Sequence, residues 1–533
     1  MIKISEVDQR NIQTWNLVNQ EKLSQQKVLV VGSNKLAQLV IGSLAGLGVG
    51  YQSNNGLIMG MHDSRITRND FSFLTPYDEY RIGKERVKEF GTVVKAIKED
   101  CHYIPLFGDF NQARVSLYQP DFIIETTNDP VSKEITANYA LAKKIPMISL
   151  ASSQEKSALS CYWPKDNREQ NSSLQNLLWP EFAEEKQSVS TSCVVAGMAL
   201  EELRKSLFNY TDSKGNELSF DGNLQSGEKY CYNPFSLERN NLESDILPRL
   251  THYYRNKKVL LVGGGALGNF LALGLTDLGV GRLDILDMDT IEASNLNRQL
   301  LFYNQVGEKK AKVLAERCKN LDQRLEVNEI YGKIGDIDST LRGKWLEELY
   351  FSERRQWENK PVGLREQIFP KSIAAFSRKN YSLNAEEKIK GVKLVTAAEI
   401  FEQGYDLILG GLDNKFARLW LNEFCRKTKT SYIDGGTSPQ SGQLAVYVPG
   451  KTQCIDCQVN LQQLPSRNSC IEGPQASVVM SNMIIGGMML GEAVKVFQDK
   501  LDPGRTNLTV KYDVFERKRI YLQPELAGRG GHC

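Results

Sequence analysis

A glycine cluster at residues 263–268, Gly-Gly-Gly-Ala-Leu-Gly, is the first candidate for a functional site. We call it the second loop, because a related segment precedes it in the chain. It follows the apolar run KKVLLV and precedes a segment of helical character. Glycines let a backbone come close to phosphate, and the first amides of a helix attract anions. We therefore expect Gly263, Gly265 and Gly268 to bind a nucleotide. The loop alone fits a dehydrogenase that uses NAD as well as an enzyme that uses ATP.

Acidic residues follow at the distance where such folds hold a ribose. The strand-like segment RLDILDMD places Asp287 and Asp289 about 20 residues beyond the loop. A carboxylate at that place typically accepts hydrogen bonds from ribose hydroxyls. This feature also leaves both nucleotide classes open.

A polar cluster after these aspartates favours triphosphate chemistry. Its members are Asn295, Arg298, Gln299 and Lys310. Arginine and lysine can neutralise the charge on phosphates as pyrophosphate leaves, which a dehydrogenase does not require. Asp413 ends the apolar segment ILGGLD, and a carboxylate facing phosphates suits magnesium. Any one of these residues alone could form a surface ion pair, but their ordered combination favours a site for ATP.

Four segments resemble the adenylation domain of ubiquitin-activating enzymes and their ThiF- and MoeB-type relatives. They are the second loop, DMDTIEASNLNRQLLF, GLDNKFARLWLN and YIDGGTSPQSGQLAVYVPGKTQCIDC. The resemblance covers almost all of residues 251–533 apart from an insertion. It implies that ATP and magnesium adenylate the C-terminal glycine of a ubiquitin-like protein. By their places in these motifs, Asp287 would bind ribose and Asp413 would hold magnesium. The residues that would line the phosphates are Asn295, Arg298, Gln299 and Lys310.

The chain repeats one pattern twice. KVLVVGSNKLAQLVIGSLAGLGVG begins at Lys27 and KVLLVGGGALGNFLALGLTDLGVG begins at Lys258. Strands alternating with helices predict an α/β fold with two Rossmann-like domains, each a mostly parallel sheet with an antiparallel extension. We place the first domain at 1–232, a linker at 233–250 and the second domain at 251–533. The second domain has an insertion at about 336–400 and a crossover loop at about 458–475.

The first copy has lost the features that bind phosphate. In residues 32–37, which we call the first loop, Asn34 and Ala37 replace the second and third glycines. Asn128 aligns with Asp413, so the metal carboxylate is gone as well. We predict that the first domain binds no ATP and that the chain is a pseudo-dimer of an inactive and an active domain. Further dimerisation is left open.

The segment DQRNIQTW resembles the N-terminal helix of the same family. In that family an arginine of this helix reaches the ATP site of the partner domain. Arg10 is therefore the candidate donor in trans, and the alternative is that it only caps or pairs locally.

Cysteines supply two further hypotheses. Cys454 and Cys457 form a C-x-x-C pair, which is half of a zinc site. Relatives often add a second pair near the C-terminus, where this chain offers only His532 and Cys533. A structural zinc site from these residues is one interpretation, and redox chemistry or no metal are the others. Cys470 lies in the crossover loop, where relatives carry the cysteine that forms a thioester or persulfide. It is the candidate acceptor, and the alternative is a non-reactive loop cysteine.

Composition and charge limit the partners and the location that we expect for the chain. The chain has 533 residues and a net charge of +2, so neither a nucleic-acid tract nor an acidic tail is indicated. The N-terminus shows no signal-peptide core, and SVVMSNMIIGGMMLGEAV fits a buried helix better than a membrane span. We expect a cytoplasmic location and no membrane partner.

We therefore expect adenylation and thioester formation on a ubiquitin-like protein, followed by transfer to a conjugating enzyme. The alternatives are activation of a sulfur-carrier protein for thiocarboxylate formation and adenylation of a short peptide. A nucleotide-sensing scaffold is the alternative without catalysis.

Overall fold

The computed structural model describes most of both halves of the chain. The described residues are 5–67, 81–164, 177–178, 187–208, 210–211, 217–218, 229–234, 254–334, 393–395, 397–413, 415–459, 461, 476–501, 508–514 and 520–524. We call the part before residue 254 the first half and the part from residue 254 onward the second half.

The first half is built on a sheet of seven described strands in the order β3-β2-β1-β4-β5-β6-β9. The first five run parallel, and β6 and β9 add antiparallel pairs. The strands are β1 (Lys27–Val31), β2 (Leu57–His62), β3 (Tyr103–Phe107), β4 (Phe122–Glu125), β5 (Met147–Ser152), β6 (Ser157–Tyr162) and β9 (Lys229–Tyr232). A separate two-stranded sheet pairs β7 (Tyr210–Thr211) with β8 (Glu217–Leu218).

The second half repeats this plan with nine described strands in the order β13-β12-β11-β10-β14-β15-β16-β17-β18. The strands from β13 to β15 pair in parallel, and the pairs from β15 to β18 are antiparallel. The strands are β10 (Lys258–Val262), β11 (Arg282–Asp287), β12 (Glu326–Ile334), β13 (Lys393–Val395), β14 (Leu407–Gly410), β15 (Ser431–Thr437), β16 (Ser441–Tyr447), β17 (Leu508–Asp513) and β18 (Ile520–Pro524).

Helices connect most of the consecutive parallel strands, as crossover connections require, while α1 precedes β1 and others follow the antiparallel strands. In the first half they are α1 (Gln9–Ser24), α2 (Lys35–Leu47), α3 (Arg86–Ile97), α4 (Gln112–Tyr118), α5 (Pro130–Lys143) and α6 (Val189–Leu207). In the second half they are α7 (Ala266–Leu278), α8 (Lys310–Leu321), α9 (Ala397–Gln403), α10 (Lys415–Thr428), α11 (Ile455–Val459) and α12 (Val479–Phe497). Together with the two sheets, these helices confirm the predicted fold class of two Rossmann-like domains.

The strand register makes the two halves comparable residue by residue. Val31 lies between Met61 and Glu125, and Val262 lies between Leu286 and Gly410. Counting onward from these strand ends places His62 where the second half has Asp287. The same count places Asn128 at the position of Asp413, as the sequence alignment predicted.

The halves join through a buried helix pair. Helices α6 and α12 pack antiparallel, and a side chain at Gly487 would lie 2.5 Å from the Ser190 carbonyl oxygen. The Ser190 hydroxyl donates to the Gly487 carbonyl at 2.7 Å. By length and composition α12 is apolar enough to cross a membrane, but 94% of its apolar window is buried within the protein. This burial is the arrangement that we predicted for the segment.

Parts of two predicted features lie outside the described residues. Of the insertion at 336–400, only β13 and the first residues of α9 are described. Of the crossover loop at 458–475, only 458–459 and 461 are described. The domain boundaries therefore stay predictions.

Candidate functional site

The second loop is closed against the neighbouring strand end. Gly263 has φ +98°, and a Cβ atom there would lie 2.5 Å from the Gly411 carbonyl oxygen. A Cβ atom on Gly268 would lie 2.1 Å from the Gly263 carbonyl oxygen. No side chain fits such distances, so these glycines are needed for the shape of the loop itself.

Gly265 differs because it borders open space. Among the described residues, the nearest atom to a Cβ built on Gly265 is Nε2 of Gln299, at 4.0 Å. Gly265 is also the N-cap residue of α7 and offers no side chain to that helix. The first amides of α7 therefore point into a space that a phosphate group could fill.

Two carboxylates at the end of β11 accept hydrogen bonds, Asp287 from the second loop and Asp289 from Lys310. Asp287 accepts hydrogen bonds from the amides of Gly264 at 2.6 Å and Asp289 at 2.7 Å. Asp289 in turn accepts one from Nζ of Lys310 at 2.8 Å. Burial raises the pKa of the Asp287 carboxyl, and the nearby Lys310 ammonium opposes that rise. The structure thus brings the predicted ribose and phosphate residues to one end of the sheet.

A buried asparagine that we did not single out from the sequence holds the polar segment against the loop. Asn269 on α7 donates to the carbonyls of Gly264 at 3.2 Å and Gly265 at 3.0 Å. Its own carbonyl oxygen accepts from the amide of Leu301 at 3.0 Å. These contacts bring residues 299–301 next to the glycines. Gly-Asn within the helix GALGNF was the available signal, but an asparagine there also fits a solvated helix face.

Arg298 and Gln299 are buried although their polar atoms are not all satisfied. Their relative exposures are 7% and 3%. Among the described residues, Nε of Arg298 and Oε1 of Gln299 have no hydrogen-bond partner. Burial, together with the like charge of Arg10, lowers the pKa of the Arg298 guanidinium to about 9. A buried cation of this kind is stabilised by an anion, so the site fits a phosphate-bearing ligand.

Arg10 reaches the second half, as the trans hypothesis requires. Its Nη2 lies 3.9 Å from Oε2 of Glu292, which follows β11. Burial lowers the pKa of Arg10, and Glu292 opposes that effect. Asn295 caps the same turn, because its Oδ1 accepts from the Glu292 amide at 3.2 Å. Arg10 thus pairs across the halves, while Asn295 also has a local structural role.

Asp413 lies in the exposed turn after β14. A buried ion pair supports that turn, because Arg418 contacts both the Asp434 carboxylate and the Leu412 carbonyl oxygen. Tyr432 completes the group by donating to Asp434 at 2.8 Å. The Asp413 carboxylate, on a turn that this ion pair stabilises, fits magnesium. Magnesium usually binds one or two carboxylates and completes its coordination shell with phosphates and water.

The first loop is filled by the chain's own side chains. Asn34 accepts from the amide of Ala37 at 3.0 Å and donates to the Thr126 carbonyl at 2.7 Å. The side-chain oxygen of Gln187 lies 3.4 Å from the amide of Leu36. These contacts occupy the helix amides that would meet a phosphate, which agrees with the prediction of an inactive first half.

The predicted zinc ligands are only partly described. Cys454 and Cys457 are 2% and 8% exposed and lie in an apolar cluster. Cys457 lies within the short helix α11, and Cys454 directly precedes it. Cys470, His532 and Cys533 lie outside the described residues. Among the residues that are described, no group of three or more His, Cys, Asp or Glu side chains could hold a metal ion. The zinc site therefore stays a hypothesis.

Comparison with known proteins places these features in context. A model described as the ThiF family matches residues 8–241, 237–349 and 372–527. SUMO-activating enzyme subunit 2 of Dictyostelium discoideum is 28% identical over 202 residues, 38% of this chain and 22% of that protein. The Nedd8-activating enzyme E1 catalytic subunit of Drosophila melanogaster is 26% identical over 253 residues, 45% of this chain and 41% of that protein.

A crystal structure of E. coli MccB with MccA-N7isoASN aligns with a TM-score of 0.35 and 20% identity, over 52% of this chain and 66% of that chain. The chain spans less than two thirds of the length of the curated relatives that it matches.

Proposed function

Because the chain belongs to the ThiF family, we propose that its second half uses ATP and magnesium to adenylate the C-terminal glycine of a ubiquitin-like protein. The curated relatives named above are activating enzymes for SUMO and Nedd8, which are different modifiers. This supports the substrate class and leaves the particular modifier open.

The observation that carries the proposal is the buried charge of Arg298. Within the described residues this guanidinium forms no ion pair, and its Nε has no hydrogen-bond partner. Glu292 offsets only part of the effect of burial on Arg298. A buried cation without a direct ion pair is unfavourable unless a ligand supplies the counter-charge. Polyphosphate supplies it, and the loss of pyrophosphate develops further negative charge at the same place.

The neighbouring residues have distinct proposed roles. Asp287 would accept hydrogen bonds from the ribose, and Gly265 would leave room for phosphate at the start of α7. Arg298, Lys310, Gln299 and Asn295 would bind the phosphates. Asp413 would hold magnesium, which supplies charge neutralisation on the phosphate oxygens when bound. Arg10 would add a positive charge from the first half.

The reaction is an acyl activation. A carboxylate oxygen of the C-terminal glycine attacks the α-phosphorus of ATP, and the bond between that phosphorus and the bridging oxygen breaks. Pyrophosphate leaves with the electron pair, and an acyl-adenylate remains. The basic side chains lower the barrier because they bind the charge that develops on the leaving oxygens.

We further propose that the activated acyl group passes to Cys470. The thiolate attacks the acyl carbon, the carbon–oxygen bond to AMP breaks, and AMP leaves with that electron pair. The product is a thioester from which a conjugating enzyme could accept the modifier. The position of Cys470 in the crossover loop supports this step.

Pyrophosphate exchange tests the first step. The full chain, mixed with a candidate ubiquitin-like protein, magnesium and ATP, should incorporate labelled pyrophosphate into ATP. Asp413→Ala should reduce exchange at least about 100-fold, because the charge on the phosphates loses its metal. The matched control is Asn128→Ala at the equivalent place in the first half, which should leave exchange unchanged. Full exchange by Asp413→Ala would refute the metal assignment.

A covalent adduct tests the second step. Cys470→Ala should retain exchange and lose a thiol-sensitive adduct between the chain and the modifier. An adduct that survives this substitution would exclude Cys470 as the nucleophile. Exchange without any adduct would favour thiocarboxylate formation or a short peptide substrate over thioester transfer.

A further inference from the structure

Two buried asparagines connect the first half to the candidate site. Asn11 lies on α1, and Asn297 lies beside Arg298 in the second half. Both are 0% exposed, and Nδ2 of Asn297 donates to Oδ1 of Asn11 at 2.8 Å. Buried amides of this kind are costly unless every donor and acceptor has a partner. Here each of the two side-chain nitrogens and oxygens has a hydrogen-bond partner, which indicates a specific arrangement.

The direction of these hydrogen bonds is fixed at both ends. A guanidinium only donates, so Nη1 of Arg298 must donate to Oδ1 of Asn297, at 2.6 Å. Nδ2 of Asn297 then serves Asn11 and the Ser477 carbonyl, the latter at 2.9 Å. The amide of Asn11 in turn donates to the carbonyl of Gly46 at 3.0 Å. The result is one continuous series of hydrogen bonds from the Gly46 carbonyl on α2 to the Arg298 guanidinium.

Gly46 allows the two halves to approach this closely. A Cβ atom at Gly46 would lie 2.8 Å from the Asn297 carbonyl oxygen and 3.1 Å from that of Leu296. Any side chain there would push the segment that carries Arg298 away from α2. Gly46 and the asparagine pair therefore both determine the position of the segment that carries Arg298.

We propose that Asn11 and Asn297 are positioning residues that hold the Arg298 guanidinium in its ligand-binding orientation, so that the inactive half sets the geometry of the active site. The proposal rests on the proposed function, because it takes Arg298 to bind phosphate. A long arginine side chain loses conformational entropy when a ligand orders it. An arginine that is already held loses less, and it therefore binds the ligand more tightly.

Binding of Mg·ATP to the full chain tests the proposal without a protein substrate. Asn11→Ala should weaken binding about tenfold, the effect of losing one hydrogen bond that orders a charged group. The matched control is Ser190→Ala, which deletes another buried hydrogen bond between the halves, the 2.7 Å bond to Gly487. Ser190→Ala should lower the thermal unfolding midpoint about as much as Asn11→Ala does, and it should leave Mg·ATP affinity unchanged.

A double-mutant cycle separates positioning from general stabilisation. In the background of Arg298→Met, the further change Asn11→Ala should alter Mg·ATP affinity by less than about twofold, since residues that act through one contact are not additive. Additive losses, or equal affinities for Asn11→Ala and wild type, would overturn the proposal while the proposed function stands. Wild-type protein that binds no Mg·ATP would overturn both.

Gly46→Ala provides an independent variant if Asn11→Ala does not fold. It keeps both asparagines and displaces the Asn297 segment, so it should also weaken Mg·ATP binding. A folded Gly46→Ala protein with wild-type affinity would contradict the proposal.

Discussion

The first and second loops occupy equivalent places at the ends of β1 and β10, yet their helix amides have different partners. In the first loop, Asn34 accepts from the amide of Ala37, and Gln187 lies within 3.4 Å of the amide of Leu36. In the second loop, Gly265 leaves the corresponding space open. Helix N-terminal amides need acceptors in either case. In the first loop the chain itself supplies those acceptors, which is how we expect its nucleotide binding to have been lost.

The surroundings of the two loops differ at the positions proposed to bind the nucleotide. His62 stands where the second half has Asp287, and Arg86 begins α3 as Lys310 begins α8. Burial lowers the pKa of His62, so this position has lost the negative charge of a ribose carboxylate. A cation is kept at the helix start, while the group that would bind ribose is lost.

Each half has a buried pair of opposite charges near the turn after the central strand, but the acidic residue stands on a different strand in each. In the second half Arg418 contacts Asp434 on β15. In the first half Lys133, at the equivalent helix position, lies 3.8 Å from Glu125 on β4. Each pair is next to the turn that ends in Asp413 or Asn128. Because such a pair is also present in the first half, where Asn128 stands in place of Asp413, we infer that its first role is to shape the turn.

The largest expected effect comes from copying the first loop into the second. Gly265→Asn would place an amide acceptor on the first turn of α7, as Asn34 does on α2. We expect Mg·ATP affinity to fall at least about 100-fold, because the side chain fills the phosphate space and satisfies the same amides. The backbone at Gly265 has the φ of Asn34, −71°, and its ψ of −144° differs from the −174° of Asn34 by about 30°, so a small backbone rotation would bring asparagine into the cap conformation.

This substitution should not destabilise the protein. An N-cap asparagine is a few tenths of a kcal/mol better than glycine, so the unfolding midpoint should be equal or slightly higher. Calorimetric titration with Mg·ATP and a thermal scan of the same sample measure the two quantities. Retained ATP binding in the folded variant would show that side-chain caps do not explain the inactive loop.

A smaller effect is expected from pH, because the Mg·ATP affinity of the second half should depend on the protonation of Asp287. Burial raises the pKa of Asp287, so this carboxyl gains a proton at a higher pH than an exposed one. A protonated carboxyl accepts ribose hydrogen bonds poorly. Mg·ATP affinity should therefore fall as pH decreases through this pKa, with a slope approaching about tenfold per pH unit.

The stability of the free protein should change in the opposite sense. Between the unfolded and folded pKa values of Asp287, the folded state binds more protons, so this group favours folding as pH falls. Asp287→Asn removes the contribution of this carboxyl to both dependences and is the comparison to measure, by titrations and unfolding curves at matched pH. An unchanged pH profile of affinity in Asp287→Asn would exclude this carboxylate as the source.

Much of the fold was predictable because it depends on local pattern. The repeat beginning at Lys27 and Lys258, with a strand, a turn and an apolar helix, predicted two Rossmann-like units, and the sheets confirm them. The positions of Asp287, Lys310 and Arg298 at one end of the sheet also followed, because the carboxyl ends of parallel strands share an edge. Their chemical roles stay predictions.

The residues that sequence reasoning missed are those whose partners are distant in the chain. Asn297 stands inside the quoted segment SNLNRQ, yet its hydrogen-bond partner Asn11 is 286 positions away. Gln187 lies 151 positions from the Leu36 amide that it approaches. An asparagine or glutamine has no periodic signal, because its role depends on a contact rather than on a face. Only the packed halves reveal such pairs.

The smallest effect is expected from the reverse exchange in the first loop. Asn34→Gly should not create a second ATP site, because Gln187, His62 and Asn128 remain. Calorimetry should therefore still give one Mg·ATP per chain. Stability should fall by about 1 kcal/mol, since the cap is weakened and the 2.7 Å bond to the Thr126 carbonyl is lost.

Asn111→Gly is the matched control, because Asn111 caps α4 by accepting from the amide of Arg114 at 3.0 Å. This change should lower stability by only a few tenths of a kcal/mol. Denaturant unfolding of the two variants measures the difference between them. If Asn34→Gly lost no more stability than Asn111→Gly, the bond to Thr126 would contribute little, and the first loop would keep its shape mainly through Gln187. A stoichiometry of two for Asn34→Gly would show instead that one side chain separates an inactive loop from a nucleotide-binding one.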